Sequence, residues 1–587
     1  MSPNFVSFKP TLPLLVLALL AGGLLHRPVL AADAGSEIRR FQDETRQRLQ
    51  APRSMGSALP AELPPSPSKA AVEASSARTH VAGFQLHGVT CFSEDELIAV
   101  FKPYVGQTLD TAGIHAAANA LKIHYRNAGY FLAKVFIPPQ TFGEIIRLDV
   151  EEGYLERGGV EVENKGKRVD GAVVRDILER HLNADAPLLR TDMERALLIA
   201  EDLPGVTIGS VLYPGQEVGT ARLRTVMNDE PLFSGNIDFD NFGNEYTGRE
   251  RLGTTLYLNS PSGAGDQAVA RLVTSGEKSN YAYLTYLRPV SSSGTRLGAS
   301  LDYFRYDADP IKGLGASNGF ATDARLYLTH PLIRSRYTNL NLRTDISHLR
   351  LADRNDLSVD AERTINSATI ALYGDETHDW LANGITLFDT SITFGHLEIT
   401  GDDGFKRIDA NGAQSEGGFT RFNFNLQRLQ HVAGPWSLYG KLSGQLASTN
   451  LGNSQKYYLG GGTSVSGYPV GEAGGDQAVE IHAEVRREFT APWGGQLHGS
   501  LFYQQGWLQQ HKSTWDGWNA WNPEVDNHVS LKTAGLGATQ TWDRTWVLRG
   551  LIGWQLGENL VRNPLTGNAS DGKDEKFRAW VQVVRYF

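Results

Sequence analysis

Cysteine is nearly missing from this chain of 587 residues. Cys91 stands alone, so no intrachain disulfide can form and no cysteine-based metal site exists. The fifteen histidines are scattered, with no HExxH or other paired spacing, so the usual signature of a zinc hydrolase is missing too. Long apolar runs are equally scarce. Only Leu12 to Leu25 approaches the roughly 20 residues that a membrane-crossing helix needs, which excludes a bundle of such helices. Positive charge is not in surplus either: Lys and Arg total 56 against 65 Asp and Glu, and the net charge of -9 argues against nucleic acid as a partner. No Ser-His-Asp constellation can be singled out. Gly460-Gly461-Gly462 is not followed by the helix and lysine of a phosphate-cradling loop. The expectation is a protein that is not an enzyme and carries no cofactor and no metal.

What is present is alternation. Leu340, Leu342 and Ile346 alternate with Asn341, Arg343, Asp345 and Ser347; Phe422, Phe424 and Leu426 alternate with Arg421, Asn423, Asn425 and Gln427. A period of two describes strands with one apolar and one polar face. Sixteen candidates follow one another: 234–242, 249–259, 266–276, 280–289, 295–306, 321–331, 338–351, 362–376, 385–399, 418–430, 436–448, 478–489, 497–508, 531–543, 546–557 and 577–587. An even number of such strands, short turns alternating with longer loops, and Phe587 last describe an all-β transmembrane barrel of sixteen antiparallel strands over 230–587. Lipid then meets only every second residue, which is how a chain of negative mean hydropathy can live in a membrane. On this reading Glu480, His482, Glu484, Arg486 and Glu488 line the lumen, and they are not acid–base catalysts. Trp515, Trp518 and Trp521 belong to an external loop near the aromatic girdle.

Ahead of the barrel the organisation changes. Residues 1–31, with Lys9 before the apolar run and Val29-Leu30-Ala31 after it, read as a bacterial signal peptide. Residues 36–50 form one short helix whose narrow stripe is Ile38, Phe41, Thr45 and Leu49. It is roughly 21 Å long at 1.5 Å per residue, close to the height of a barrel's apolar band, and being polar nearly all round it suits a tether or a wet lumen. Residues 51–79, rich in Pro, Ser and Ala, make an extended linker. From 80 to 229 an order of strand, helix, helix, strand, strand occurs twice, in 80–153 and 154–229, as two small α+β repeats.

The motifs in these repeats are specific. The first carries Tyr125-Arg126-Asn127-Ala128-Gly129-Tyr130, Ala133-Lys134-Val135-Phe136-Ile137-Pro138-Pro139-Gln140 and Leu148-Asp149-Val150-Glu151-Glu152-Gly153. The second carries Asp202-Leu203-Pro204-Gly205-Val206 and Tyr213-Pro214-Gly215. The barrel opens with Ile237-Asp238-Phe239-Asp240-Asn241-Phe242-Gly243, followed by Asn259-Ser260-Pro261 and Gly265-Asp266. Together they resemble the outer-membrane transporters of two-partner (type V) secretion, the haemolysin-activator and filamentous-haemagglutinin-transporter family with its two polypeptide-transport-associated (POTRA) domains.

The resemblance implies a bacterial outer-membrane barrel with its POTRA pair in the periplasm, exporting one large exoprotein that arrives unfolded. It implies that helix 36–50, with Ile38, Phe41 and Leu49, plugs the lumen, and that loop 453–476 folds inward behind it. The loop tip is Val465-Ser466-Gly467-Tyr468, where the family has Val-Arg-Gly-Tyr/Phe. The partner stretch on strand 13 is Phe502-Tyr503-Gln504-Gln505-Gly506, where the family has Phe-x-Asp-x-Gly. Both charges of the family's pair are therefore replaced, by Ser466 and Gln504. Losing one partner would strand a buried charge, whereas replacing both need not be costly, so the two are expected to meet through a neutral hydrogen bond. Cargo recognition is expected at exposed sheet edges, around Tyr130, Val135, Pro138 and Gln140 and around Val206 and Leu212. Phe587 is expected to be the mark read by the barrel-assembly machinery, and the transporter to act as a monomer in outer-membrane lipid. The alternatives are a barrel-assembly or insertion factor of the same superfamily, a passive porin, and an outer-membrane lipase. If the neutral pair holds the loop less firmly than a charged one, resting conductance in planar bilayers will exceed that of Arg–Asp family members; equal tightness counts against it.

Overall fold

Alternation along the chain becomes a closed sheet. In the computed structural model, which describes residues 33–49, 78–311, 315–355, 361–377, 383–491, 494–520 and 522–587, sixteen antiparallel strands run from Phe233–Asp240 to Phe577–Tyr586. Each pairs with its neighbours in order, and the last closes on the first from Gln582 opposite Asp240 to Tyr586 opposite Asn236. The segment read as a signal peptide, nearly all of the linker and Trp521 lie outside the described residues.

All sixteen expected strands are present, and strands 5 to 7 (Arg296–Ile311, Gly315–Arg334 and Thr338–Asn355) are longer than the pattern indicated. The added residues are mostly 307–311, 315–320 and 352–355. The alternation fades there while the ladder of backbone hydrogen bonds continues. Within the band the two faces separate cleanly. Leu284, Leu301, Ile346, Ile370, Leu426 and Leu501 point outward and are 45–61% exposed, while Asp238, Arg271, Asp323, Gln445 and Thr533 point inward and are buried. An apolar belt of this extent on a closed sheet is a lipid-facing surface.

The seam shows why small residues stand at the periplasmic rim. Gly235 and Phe587 exchange two backbone hydrogen bonds of 3.0 Å. A Cβ on Gly235 would lie 2.3 Å from the Thr255 carbonyl oxygen and 3.0 Å from the Phe587 ring. Phe587 itself faces outward and is exposed.

Both repeats before the barrel fold as three-stranded mixed sheets backed by two helices. In the first, Ile145–Glu151 is central, parallel to Gly83–His87 and antiparallel to Lys134–Phe136. Its helices, Glu94–Phe101 and Thr111–Asn127, are both capped by side chains. Ser93 Oγ accepts from the Glu96 N–H, and Asp110 Oδ1 accepts from the Gly113 N–H at 2.8 Å. In the second, Thr220–Asp229 lies between Tyr154–Asn164 and Val206–Pro214, and the helices are Gly171–His181 and Arg190–Glu201.

Two sequence motifs turn out to be joints. Asp202, from the Asp-Leu-Pro-Gly run, takes a two-pronged ion pair from Arg334 at 2.8 and 2.9 Å, and its carbonyl accepts from Arg296. Leu203 fills the space above Gly265, where a Cβ would come within 2.7 Å of it. Arg195 donates to the carbonyls of Pro331 and Leu332. The second repeat is thereby fastened to three turns on one rim of the barrel, which makes that rim the periplasmic one.

Glu152, in the Glu-Glu-Gly motif, is the polar hub of the first repeat. It is 2% exposed and accepts from the Thr90 N–H at 2.7 Å, the Cys91 N–H at 2.9 Å and the Tyr125 hydroxyl at 2.9 Å. Burial pushes its carboxyl up, but these donors outweigh burial and hold it below the ordinary carboxylate range. A depressed folded-state value means the stabilisation is complete above the unfolded carboxylate range and is lost as pH falls through the folded value. The protection of the Thr90 and Cys91 amides against hydrogen exchange, relative to their intrinsic rates, is therefore expected to fall in the full chain on acidification below that range. Glu152→Gln is expected to cost about 1–3 kcal/mol at neutral pH and to flatten the pH dependence; an unchanged profile would rule out this role.

Candidate functional site: the occupied lumen

The lumen of the barrel is filled from within the chain. Helix Ala34–Leu49 lies inside it, and Ile38, Phe41 and Thr45 of the expected stripe meet the wall together with Ala34, all at most 3% exposed. Phe41 stacks on Tyr281 with ring centroids 4.7 Å apart and also touches Phe304 at 5.4 Å. The Leu49 side chain lies outside the described residues. A helix expected to bury little apolar surface instead joins an aromatic cluster on the barrel wall. The lumen is not uniformly polar, and Tyr281, Phe304 and Tyr306 line the face that receives it.

Polar contacts complete its seat. The Ala34 N–H donates to Asp353 at 2.8 Å, and Gln42 donates to Asp323 at 2.8 Å. Arg251 bridges Glu44 of the helix, at 3.2 Å, and Asp240 of the wall, at 2.8 Å. Asp238 of the same barrel-entry motif pairs with Arg271 at 2.7 Å. Alternating lumen positions therefore carry a functional pattern, in which the Asp-x-Asp of strand 1 meets the arginines of strands 2 and 3. Sequence periodicity placed those residues inward without showing that they meet.

Loop 453–476 enters from the opposite rim. Its arms, Tyr457–Leu459 and Ala473–Gly475, pair as a short hairpin, and Lys456 clamps the base by binding Asp476 at 2.7 Å and the Gln510 carbonyl at 2.9 Å. Gly460 and Gly461 have φ of 103° and 104°. A Cβ on Gly460 would fall 2.2 Å from the Pro469 carbonyl oxygen, so the turn into the tip requires glycine. The loop base also meets the helix, with Asn453 donating to Asp33 at 3.2 Å.

The tip is buried completely: Val465, Ser466 and Tyr468 are 0% exposed. The Ser466 N–H and hydroxyl both donate to Gln504 Oε1 at 2.8 Å. The structure thus brings together Ser466 and Gln504, as expected. Four further bonds extend the contact. Gly467 donates to Thr533 at 3.1 Å, Gln555 donates to the Gly467 carbonyl at 3.0 Å, Trp580 donates to the Ser466 carbonyl at 2.7 Å, and the Lys532 N–H donates to the Tyr468 hydroxyl at 3.4 Å. Phe502 is buried with its ring over Gly535, and Gly506 makes room for Leu459. Thr533, Gln555 and Trp580 lie on strands 14 to 16, far from the tip in sequence, and no local motif marks them.

Of the residues expected to meet cargo, Tyr130, Val135 and Pro138 are half-buried on the edge side of the first repeat. Gln140 is spoken for: its amide donates to the Arg147 carbonyl at 2.8 Å and accepts from the Arg147 N–H at 2.9 Å, capping the central strand beyond the three-residue edge. Val206 and Leu212 require a correction. Both side chains point into the core of the second repeat, at 3% and 6% exposure. Period two places Val211 and Tyr213 on the open face of that edge strand, 50% and 45% exposed.

Residues 219–521, more than half of the chain, match the family described as haemolysin secretion/activation protein ShlB/FhaC/HecB. The chain belongs to this family. Residues 79–153 match its POTRA domain, ShlB-type. The heme/hemopexin transporter protein HuxB of Haemophilus influenzae (strain 86-028NP) is 28% identical over 498 residues, 84% of each chain. The outer membrane transporter CdiB of Escherichia coli O6:K15:H31 (strain 536 / UPEC) is 23% identical over 450 residues, 74% of this chain and 73% of its own. The solved structure of CdiB from Escherichia coli has the same fold, with a TM-score of 0.71 and 18% identity over 94% of this chain and 98% of that one. The family member described here is an outer-membrane transporter of two-partner secretion, which translocates a secreted exoprotein from periplasm to cell surface.

The tip geometry makes a direct test. A Cβ on Gly553 would lie 2.7 Å from both the Gly467 nitrogen and the Ser466 hydroxyl, whereas one on Gly550 of the same strand meets nothing within 4 Å. Gly553→Ala is expected to unseat the tip and raise channel opening in planar bilayers, with Gly550→Ala unchanged. Gln504→Leu, which strands two buried donors, should weaken the seat by about 1–3 kcal/mol. Closed channels in both Gly553→Ala and Gln504→Leu would show that the tip contributes nothing to the seal.

Proposed function

We propose that the chain rests as a plugged exporter whose cargo supplies the displacement. An unfolded exoprotein adds to the POTRA edges by main-chain hydrogen bonds, at Tyr130 to Pro138 and along Val206–Pro214 through Val211 and Tyr213. It then drives out helix Ala34–Leu49 and loop 453–476, threads the barrel, and is drawn outward by its own folding. The observation that carries this reading is the joint occupancy of the lumen. Helix and loop fill it together, touch each other through Asp33 and Asn453, and grip the wall through many separate weak bonds that can be released in sequence. A cavity of about 500 Å³ remains between them and the wall, giving them room to move.

The outward apolar belt supports outer-membrane lipid as solvent, and on this reading Phe587, exposed at the seam, presents the assembly signal. The transporter works as a monomer on this reading, since the sheet closes on itself within one chain.

Secretion of the cognate exoprotein provides the measurement. Deleting 80–229 is expected to abolish it while the barrel still conducts, and Val211→Asp with Tyr213→Asp is expected to reduce it about tenfold or more, an edge contact of about 1.4 kcal/mol. Undiminished secretion from the double variant would remove the second repeat's edge from the pathway.

A further inference from the structure

Strand 10 (Gly417–Ala433) carries Arg421 on its lumen face. Its side chain is buried at 6% exposure, and its Nε and Nη1 find no hydrogen-bond acceptor among the described residues. A guanidinium stays protonated under any condition a bacterium meets, so it cannot escape burial by losing its charge. Such a group is strongly destabilising unless something in the site answers it.

Arg421 lines a small cavity of about 30 Å³ between the lumen helix and the wall formed by strands 6 to 10. The helix contributes Arg39 and Arg46 to the same cavity, and strand 6 contributes Arg325. Two carboxylates, Asp323 and Asp345, share the lining and are already engaged: Asp323 pairs with Arg325 at 2.5 Å and Asp345 with Arg343 at 3.3 Å. Arg39 turns to Asp43 at 3.0 Å. One further carboxylate oxygen, Asp323 Oδ1, has no partner among the described residues, and its negative charge disfavours a multiply charged anion beside it. Hydroxyl pairs complete the lining. Ser347 bonds Ser367 at 2.8 Å and Thr369 bonds Thr393 at 3.0 Å. Each pair uses one hydrogen and leaves another to donate.

We infer that this cavity is a binding site for one small monovalent inorganic anion of halide size, held by Arg421 on the wall and by Arg39 and Arg46 on the helix. The volume takes about one or two waters, or one halide. Because the ligands come from both bodies, the site exists only while the helix is in place. An anion that binds the plugged state alone stabilises it by mass action, by the factor 1 + [anion]/Kd. Chloride then acts as a third component of the seal, beside the aromatic seat of Phe41 and the tip of the loop. This inference rests on the reading that the helix leaves the lumen during transport.

Two measurements separate the site from that reading. Crystals of the full chain grown with bromide in place of chloride should show an anomalous peak within hydrogen-bond reach of Arg421. The peak should vanish in Arg421→Gln and persist in Arg421→Lys. A wild-type cavity holding only water, with no bromide peak, overturns the site without need of any variant. In planar bilayers the wild type should open about tenfold more often in potassium gluconate than in potassium chloride, when chloride stands about ten times above its Kd, and Arg421→Gln should be indifferent to the anion. A bromide peak together with chloride-indifferent opening would establish the site and overturn its coupling to the helix.

Discussion

Closure of the backbone ladder is the constraint from which everything else in this molecule follows. In hydrocarbon no water is available to satisfy an open N–H or carbonyl, so a sheet can cross only if its last strand finds its first. Here that meeting is short, from Gln582 and Asp240 to Tyr586 and Asn236, and it is finished by the exchange between Gly235 and Phe587. Once the ladder closes, side chains have two destinations. Those pointing out must be apolar, and those pointing in share a confined space whose charges must be answered locally.

The second condition explains the character of the lumen. Asp238 answers Arg271, and Arg251 is answered by Asp240 and Glu44 together, so wall and helix complete one another's charges. A purely apolar plug would be hard to remove, and a purely polar one would have nothing to fix its orientation. The helix has both elements, with Phe41 between Tyr281 and Phe304 giving register and scattered hydrogen bonds holding its polar sides. At the loop tip the same logic is carried through without charge. Ser466 and Gln504 meet directly, and Thr533, Gln555 and Trp580 spread the contact over four strands, so the hold depends on no single pair.

The periplasmic side obeys a different rule, because water is present and sheet edges can stay open. The first repeat nevertheless limits its edge: Lys134–Phe136 is three residues long, and Gln140 caps the next peptide of the central strand. In the second repeat Val206–Pro214 runs nine residues along the sheet edge. Asp202, beside that strand, is also bound to Arg334 of the barrel. The open edge of the second repeat is therefore mechanically connected to the rim of the barrel.

Period-two alternation and turn chemistry determined the strand number, their order and which side chains face lipid, because those properties follow from local geometry in which each residue's direction depends only on its neighbour's. The stripe Ile38, Phe41 and Thr45 was legible for the same reason. Tertiary structure alone decided who meets whom across the lumen. Arg251 reaches Glu44 across some two hundred residues of chain, and Trp580 reaches Ser466 from the last strand. The inward turn of Val206 and Leu212, the engagement of Gln140 and the burial of Arg421 likewise emerge only when separate segments share one space. Direction is a local property of a strand, but partnership inside a cylinder depends on its circumference, its register and what fills it, and no stretch of sequence contains these.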